Sequence, residues 1–317
     1  MESAVRPTIY GWPSSPYTEK VVRYVRFHER SHQLVAPTAW QLRRKITRAV
    51  GRAIMPTMEI STGRWIQDSS EIIDYFASQL PHEQAFPCSP TQRLVSALVE
   101  YYADEWMPII IMHTRWNTPE NRNFAEAEFA ATGMPWVPAG IARRLVRPIS
   151  QKMASYRAVL GVTEESIPGV ERRIQALLTQ LETHLAASPF LLGEAPCVGD
   201  FALCGPLYAH IYRDPGSRHR FDGLDHLRQW MDRLTRPPEH RTYFSESGEV
   251  PATLEPVLEG IFAEQWPFAR QVVQAIETFA EGSPGAPLPR GLGWAPCIIG
   301  GSESRRKIAT ESQWKIQ

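Results

Sequence analysis

The stretch "TIYGWPSSPYTEKVVRYVRFHER", Thr8 to Arg30, decides the fold. TIYGW is short, β-branched and aromatic, as a strand is. It stops at Pro13-Ser14-Ser15-Pro16 and gives way at once to Val21, Val22, Tyr24, Val25 and Phe27 at helical spacing. Serine is a preferred N-cap, and a proline in the first helical turn forfeits no hydrogen bond. The stretch therefore predicts strand, turn, helix, with two hydroxyls where the helix presents its unpaired N–H groups and the positive end of its dipole.

Working outward, HQLVAPT predicts a second strand and AWQLRRKITRAVGR a basic helix or helical turn. MPTMEIS and RWIQ flank Thr62-Gly63, a hairpin signal, and DSSEIIDYFASQL reads as a helix with Ile72, Ile73, Phe76 and Leu80 on one stripe. The order βαβαββα implies a small α/β domain over residues 1–82. The proline-rich run at 83–91 is the expected linker. Beyond it the periodicity is helical, with helices expected near Gln92–Trp116, Ile141–Leu160, Ile167–Ala187, Val198–Tyr212 and Leu224–Leu234. An all-α domain over 92–240 follows, then an extension over 241–317 made of one helix, Leu254 to Ala280, and a basic tail. Pro108 is expected to kink the first long helix.

The 317 residues carry 34 basic and 34 acidic side chains, so no global field draws the chain to nucleic acid or to an anionic membrane. No apolar run has the roughly 20 residues of a membrane helix, and the N-terminus lacks a signal-peptide pattern. A cytoplasmic protein with no nucleic-acid or membrane partner is the expectation. The four cysteines form no CxxC pair and are expected as free thiols. His28-Glu-x-x-His32 has metal-ligand spacing but falls at a helix end with no third ligand nearby, so no metal site is expected.

Three segments resemble the cytosolic glutathione transferase superfamily. GWPSSPYTEKV is similar to the active-site turn of serine-type classes such as tau, where the omega class carries a cysteine. MPTMEI followed by QDSSEIIDYF is similar to the family's Val-Pro and Glu-Ser-x-x-Ile-x-x-Tyr pattern. FLLGEAPCVGDFALCGPLYAH resembles its Leu-x-Gly-x-x-x-(Ser/Thr)-x-x-Asp helix start. The resemblance covers about Thr8 to Trp230. It implies a thioredoxin-like N-terminal domain with a mixed sheet, an all-α C-terminal domain, glutathione as co-substrate and a homodimer.

Residue by residue, it implies that Ser15 activates the glutathione thiol, with Ser14 the second candidate and helix capping alone the other reading. Tyr10, on the strand, is a weaker candidate from the tyrosine-type classes. Met55-Pro56 corresponds to a cis step whose backbone would pair with the cysteinyl unit. Gln67, Asp68 and Ser69 would hold the γ-glutamyl end. The glycyl carboxylate needs a cation from among Arg43, Arg44, Lys45, Arg48 and Arg52, of which Arg52 is nearest the proline. Asp200 belongs to a capping box that is half-kept, because Cys197 stands where the family has Ser or Thr. A pocket for a small hydrophobic electrophile is expected from Trp12, Tyr102, Trp106, His113, Arg115 and Trp116, capped by Trp294 or Trp314. Conjugation is the implied detoxification chemistry. The alternatives are a glutathione-dependent lyase, dehalogenase or isomerase, or a non-catalytic binding or assembly module.

Overall fold

A computed structural model describes residues 6–61, 63–239, 243–244 and 248–310; Trp314, one of the two expected caps, lies outside them, as does Thr62 of the hairpin turn. The N-terminal domain runs β1 (Thr8–Tyr10), α1 (Pro16–Phe27), β2 (Gln33–Val35), α2 (Ala39–Gln41), a π-helical turn (Leu42–Ile46), α3 (Thr47–Val50), β3 (Thr57–Ser61), β4 (Arg64–Gln67) and α4 (Ser69–Ala77). The sheet order is β2-β1-β3-β4, with β1 parallel to β2 and antiparallel to β3. This is the expected mixed, thioredoxin-like sheet. Gly11 must be glycine where β1 meets α1, since a Cβ there would lie 2.4 Å from Thr18 Oγ1.

The helical part comprises α5 (His82–Ala85), α6 (Pro90–Tyr101), a π-helix (Tyr102–Trp106), α7 (Pro108–Asn117), α8 (Pro119–Gly133), α9 (Ala139–Val159), α10 (Ile167–Ala187), α11 (Val198–Pro206), a π-helix (Leu207–Tyr212), a 3-10 turn (Arg218–Phe221) and α12 (Asp225–Arg233). One continuous core joins the two parts, with Ile9, Val21 and Ile72 in the same cluster as Trp106, Leu178 and Trp230. Pro108 does break the first long helix. Its missing N–H leaves the Asp104 carbonyl without its helical donor, and the Tyr17 hydroxyl of α1 donates to that carbonyl at 2.9 Å.

Two elements depart from the expectation. Helix α8 was not expected, because its buried side is Asn121, Ala125, Glu126, Ala130 and Gly133, small and polar residues that draw no hydrophobic stripe. The extension is a helix, α13 (Glu255–Gly282), followed by a β-hairpin, β5 (Gly291–Ile299) and β6 (Ser302–Ala309), where a basic tail was expected. Gly300 and Gly301 turn the hairpin at φ +52° and +80°, the positive values that a tight two-residue connection demands. The hairpin packs on the body. Arg172 donates to the Gly300 carbonyl at 2.9 Å, Ser304 to Gly161 at 2.6 Å, and Arg306 to Glu105 at 2.8 Å.

Candidate active site

Ser15 is the N-cap of α1, in extended conformation, with Pro16 in the first turn. Its Oγ accepts the Thr18 N–H at 3.3 Å. The hydroxyl proton has no acceptor among the described residues, so Ser15 can still donate to a group above the helix terminus. Ser14 beside it is buried, and its carbonyl accepts from Arg115 Nη1 at 3.0 Å. Tyr10 is committed elsewhere: its hydroxyl donates to Glu59 at 3.2 Å, touches Lys45, and its ring stacks on Trp65.

Three further features surround this turn in the topology. The Met55-Pro56 bond is cis, as expected, and the Met55 backbone has no hydrogen-bond partner among the described residues. Asp68 caps α4 at φ +85°, in the left-handed region that side chains seldom adopt, and its Oδ1 accepts the Ser70 N–H at 3.0 Å. Ser69 is buried at the first position of α4, and the Gln67 Oε1 at the end of β4 is buried with no partner among the described residues. An orphaned buried acceptor is costly unless a ligand donor satisfies it.

Among the basic candidates, Lys45 is spent on Glu59 at 2.8 Å. Arg52 is half-buried just before the cis step and makes no ion pair among the described residues.

Sequence reasoning missed Lys20. Its ammonium is buried and bonded to Ser70 at 3.1 Å, Glu100 at 2.7 Å and Asp104 at 2.6 Å, so one cation ties α1, α4 and the start of the helical domain together. Burial alone would depress its pKa, but Asp104 and Glu100 more than offset that and raise it. The signal was present: Lys20 stands four residues before Tyr24 on the buried side of α1.

The six residues expected to line one pocket do not converge. Trp12 packs on Phe129 at 5.5 Å between ring centroids, and Phe129 on Trp116 at 6.3 Å. The Trp12 indole donates to the Pro37 carbonyl, while the buried Trp116 indole N–H has no partner among the described residues. Tyr102 and Trp106 instead face the extension. The Tyr102 hydroxyl accepts from Arg173 at 3.1 Å, Trp106 donates to Glu264 at 3.2 Å, and Arg306 lies 5.2 Å over the Trp106 ring. His113 is 2.8 Å from Glu171, which also takes both Arg220 Nη groups; these bonds draw the Glu171 carboxyl down to about 2. Arg115 forks onto Asp214 at 2.8 and 2.7 Å and donates to His210 at 3.0 Å. Burial, then the Arg115 charge, keeps His210 neutral, well below the ordinary histidine pKa. Trp294 is exposed on β5.

Asp200 holds a complete box where a half-kept one was expected. Its carboxylate accepts from the Leu191 N–H at 3.0 Å, the Cys197 N–H at 2.9 Å and the Trp230 indole at 2.8 Å, and the Cys197 sulfur closes the reciprocal arm. Burial raises its pKa to about 6 against those bonds.

A thioredoxin-like sheet is joined to a helical domain, with a capped serine turn before the first helix. Residues 9–84 match the family model of the glutathione S-transferase N-terminal domain, and residues 164–233 that of the C-terminal domain. The two matches, in this order, support placing the chain in the glutathione S-transferase superfamily. No curated protein matches the sequence.

Among solved structures, the chain is similar to a GST-like protein from Pseudomonas syringae (15% identity, TM-score 0.47), covering 72% of this chain and only 65% of that one. It is also similar to a glutathione S-transferase from Pseudomonas fluorescens (16%, TM-score 0.45, 74% and 96% covered). A third is the β-etherase LigF from Sphingobium sp. strain SYK-6 (15%, TM-score 0.49, 74% and 96%).

Proposed function

We propose that the protein is a glutathione transferase in which Ser15 stabilises the glutathione thiolate for attack on a small hydrophobic electrophile. The observation that carries this reading is the Ser15 hydroxyl itself. It is fixed by accepting from Thr18 at a helix N-terminus, and it keeps its proton free to donate. A thiol of pKa about 8.5 is only about 3% ionised at neutral pH. Two units of depression require roughly 2.7 kcal/mol of preference for the anion. A hydrogen bond to a charged acceptor contributes about 1.5–3 kcal/mol and a helix N-terminus up to about 1–2.

Glutathione would lie along β3, its cysteinyl unit paired with the free Met55 backbone at the cis-proline. Its γ-glutamyl carboxylate would sit on Ser69 and the N-terminus of α4, with its ammonium toward Asp68 and the orphaned Gln67 oxygen. Arg52 would take the glycyl carboxylate. The thiol proton leaves to solvent. The sulfur then bonds to the electrophilic carbon as the leaving group departs, and Ser15 retains its own proton throughout. Trp12, Phe129 and Trp116 would form the apolar wall for the electrophile, while Arg115, by bonding the Ser14 carbonyl, holds the turn in place.

The test is Ser15→Ala, assayed by retention on immobilised glutathione and by conjugation of chlorodinitrobenzene across pH. The variant should still be retained, while the pH midpoint of turnover rises by about 1–2 units and the rate near neutrality falls about 3- to 25-fold, in step with the ionised fraction. An unchanged pH profile refutes the assignment, as does failure of the unmutated protein to be retained.

A further inference from the structure

The chain is neutral overall, yet its charges are segregated. No carboxylate occurs from residue 30 to 58 or from 129 to 163, while these segments hold 11 of the 34 basic side chains. Helix α9 lies in the second segment and contains Arg143, Arg144, Arg147, Lys152 and Arg157 with no acidic residue. One side of α9 is buried through Ala142, Val146, Ser150 and Ala154. About a quarter-turn round the helix from that stripe, Ile141, Leu145 and Ile149 stand four residues apart in a row, exposed at 56%, 54% and 52%. Arg144 and Lys152, three residues after Ile141 and Ile149, are exposed alongside. Just before the row, Trp136 is 68% exposed. Gly133 lies against Trp12 and Ala39, so the two acid-free segments meet there, beside Trp40, itself 64% exposed.

A continuous aliphatic row rimmed by cations, with tryptophans at one end, is complementary to one kind of surface. A second copy docked on the same face would oppose like charges along its whole length. A nucleic acid would satisfy the arginines but leave three aliphatic side chains against phosphate. A bilayer rich in anionic lipid satisfies all three features: aliphatics enter the acyl boundary, guanidinium groups meet the headgroups, and indoles sit at the interface. We propose that the exposed face of α9, with Trp136 and Trp40, is a peripheral docking surface for an anionic lipid bilayer. The helix lies flat; no helix among the described residues is long and apolar enough to span. The face adjoins Trp12, so if the transferase reading above holds, a lipophilic electrophile reaches the site from the membrane surface. The binding experiment requires no glutathione chemistry, so the two readings fail separately.

The test is flotation of the full chain with vesicles of phosphatidylcholine alone and of phosphatidylcholine mixed equally with phosphatidylglycerol, at low and high salt. Flotation is expected only with the anionic vesicles, weakening as salt rises, with a blue shift of tryptophan emission. Each of Arg144→Gln and Lys152→Gln should weaken the partition about fivefold, and the pair about 25-fold. Leu145→Ser should weaken it about tenfold without altering far-ultraviolet circular dichroism, because the position is exposed. Absence of flotation with anionic vesicles overturns the proposal, as does equal flotation with neutral ones or indifference to the three substitutions. A concentration-dependent dimer broken by Leu145→Ser, without vesicle binding, assigns the face to a second copy and overturns it too.

Discussion

Replacing Lys20 by methionine tests how the domain joint is held. The methionine keeps the length and apolar stem but removes the ammonium that meets Ser70, Glu100 and Asp104 at 3.1, 2.7 and 2.6 Å. Removing one partner of a fully buried ion pair costs about 3–5 kcal/mol, since the other charge is stranded. Here the two carboxylate side chains keep 22% and 21% exposure, so water recovers part of that, and about 3 kcal/mol is the expected loss near pH 8.

The sign of the pH effect follows from Asp104. Burial already raises its pKa, opposed chiefly by Lys20, so without Lys20 it rises further. An acid whose folded pKa lies above its unfolded one loses stability as pH climbs between the two, so the variant should recover as pH falls. Urea midpoints of both proteins at about pH 5.5 and about pH 8 measure this, and the deficit should shrink by at least about 1 kcal/mol at the lower value. Adding Glu100→Gln and Asp104→Asn to Lys20→Met should recover most of the loss, since no charge is then stranded. A deficit under about 1 kcal/mol near pH 8, or one equal at both pH values, would refute this account of the joint.

Two further outcomes are expected. Asp200→Ala orphans the Leu191, Cys197 and Trp230 donors, so at roughly 1–3 kcal/mol each the protein should lose most of its stability; thermal unfolding and soluble yield report it. Because the Asp200 pKa is raised to about 6, that residue contributes more below this value than above it, and the loss should be greater near pH 5 than near pH 8. Gly205→Ala would set a Cβ 2.4 Å from the Pro16 carbonyl, a backbone atom that yields only if α1 moves. A cost of about 1–3 kcal/mol is expected, with turnover falling because the same shift displaces Ser15; unchanged urea midpoints would show that α1 and α11 are not locked together.

What was legible in the sequence was local. The strand, turn and helix at Thr8–Phe27, the βαβαββα order and the proline at 56 are each written within a few residues, in turn chemistry and period. What was not legible depends on distance or on small residues. Helix α8 buries alanine, asparagine and glycine, so its period has no hydrophobic contrast. Tyr102 and Trp106 sit on a helix rich in aromatic and polar groups, which fits a pocket wall; their partners, Arg173, Glu264 and Arg306, all lie more than 70 residues away in sequence. The hairpin could have been read, because Ala295, Cys297 and Ile299 alternate inward up to Gly300-Gly301, a turn pair with both φ values positive. Pro296 lacks a ladder donor, but it is exposed on a two-stranded ribbon that tolerates it.

The break at Pro108 links these separate features. In a regular helix the carbonyls of residues 104 and 105 would be consumed within the helix. The proline withholds one donor, the chain widens into a π-turn over Tyr102–Trp106, and carbonyls along that turn become available to outsiders. Tyr17 of the N-terminal domain takes that of Asp104 and Arg306 of the hairpin that of Glu105, while Gln265 of α13 donates to the Tyr101 carbonyl just before the turn. One residue without an N–H thus supplies the acceptors through which the thioredoxin-like domain and the C-terminal extension dock on the same turn. Tyr17 stands two positions after Ser15, so the geometry of the candidate nucleophile-activating turn is set in part by a proline 93 residues further along the chain.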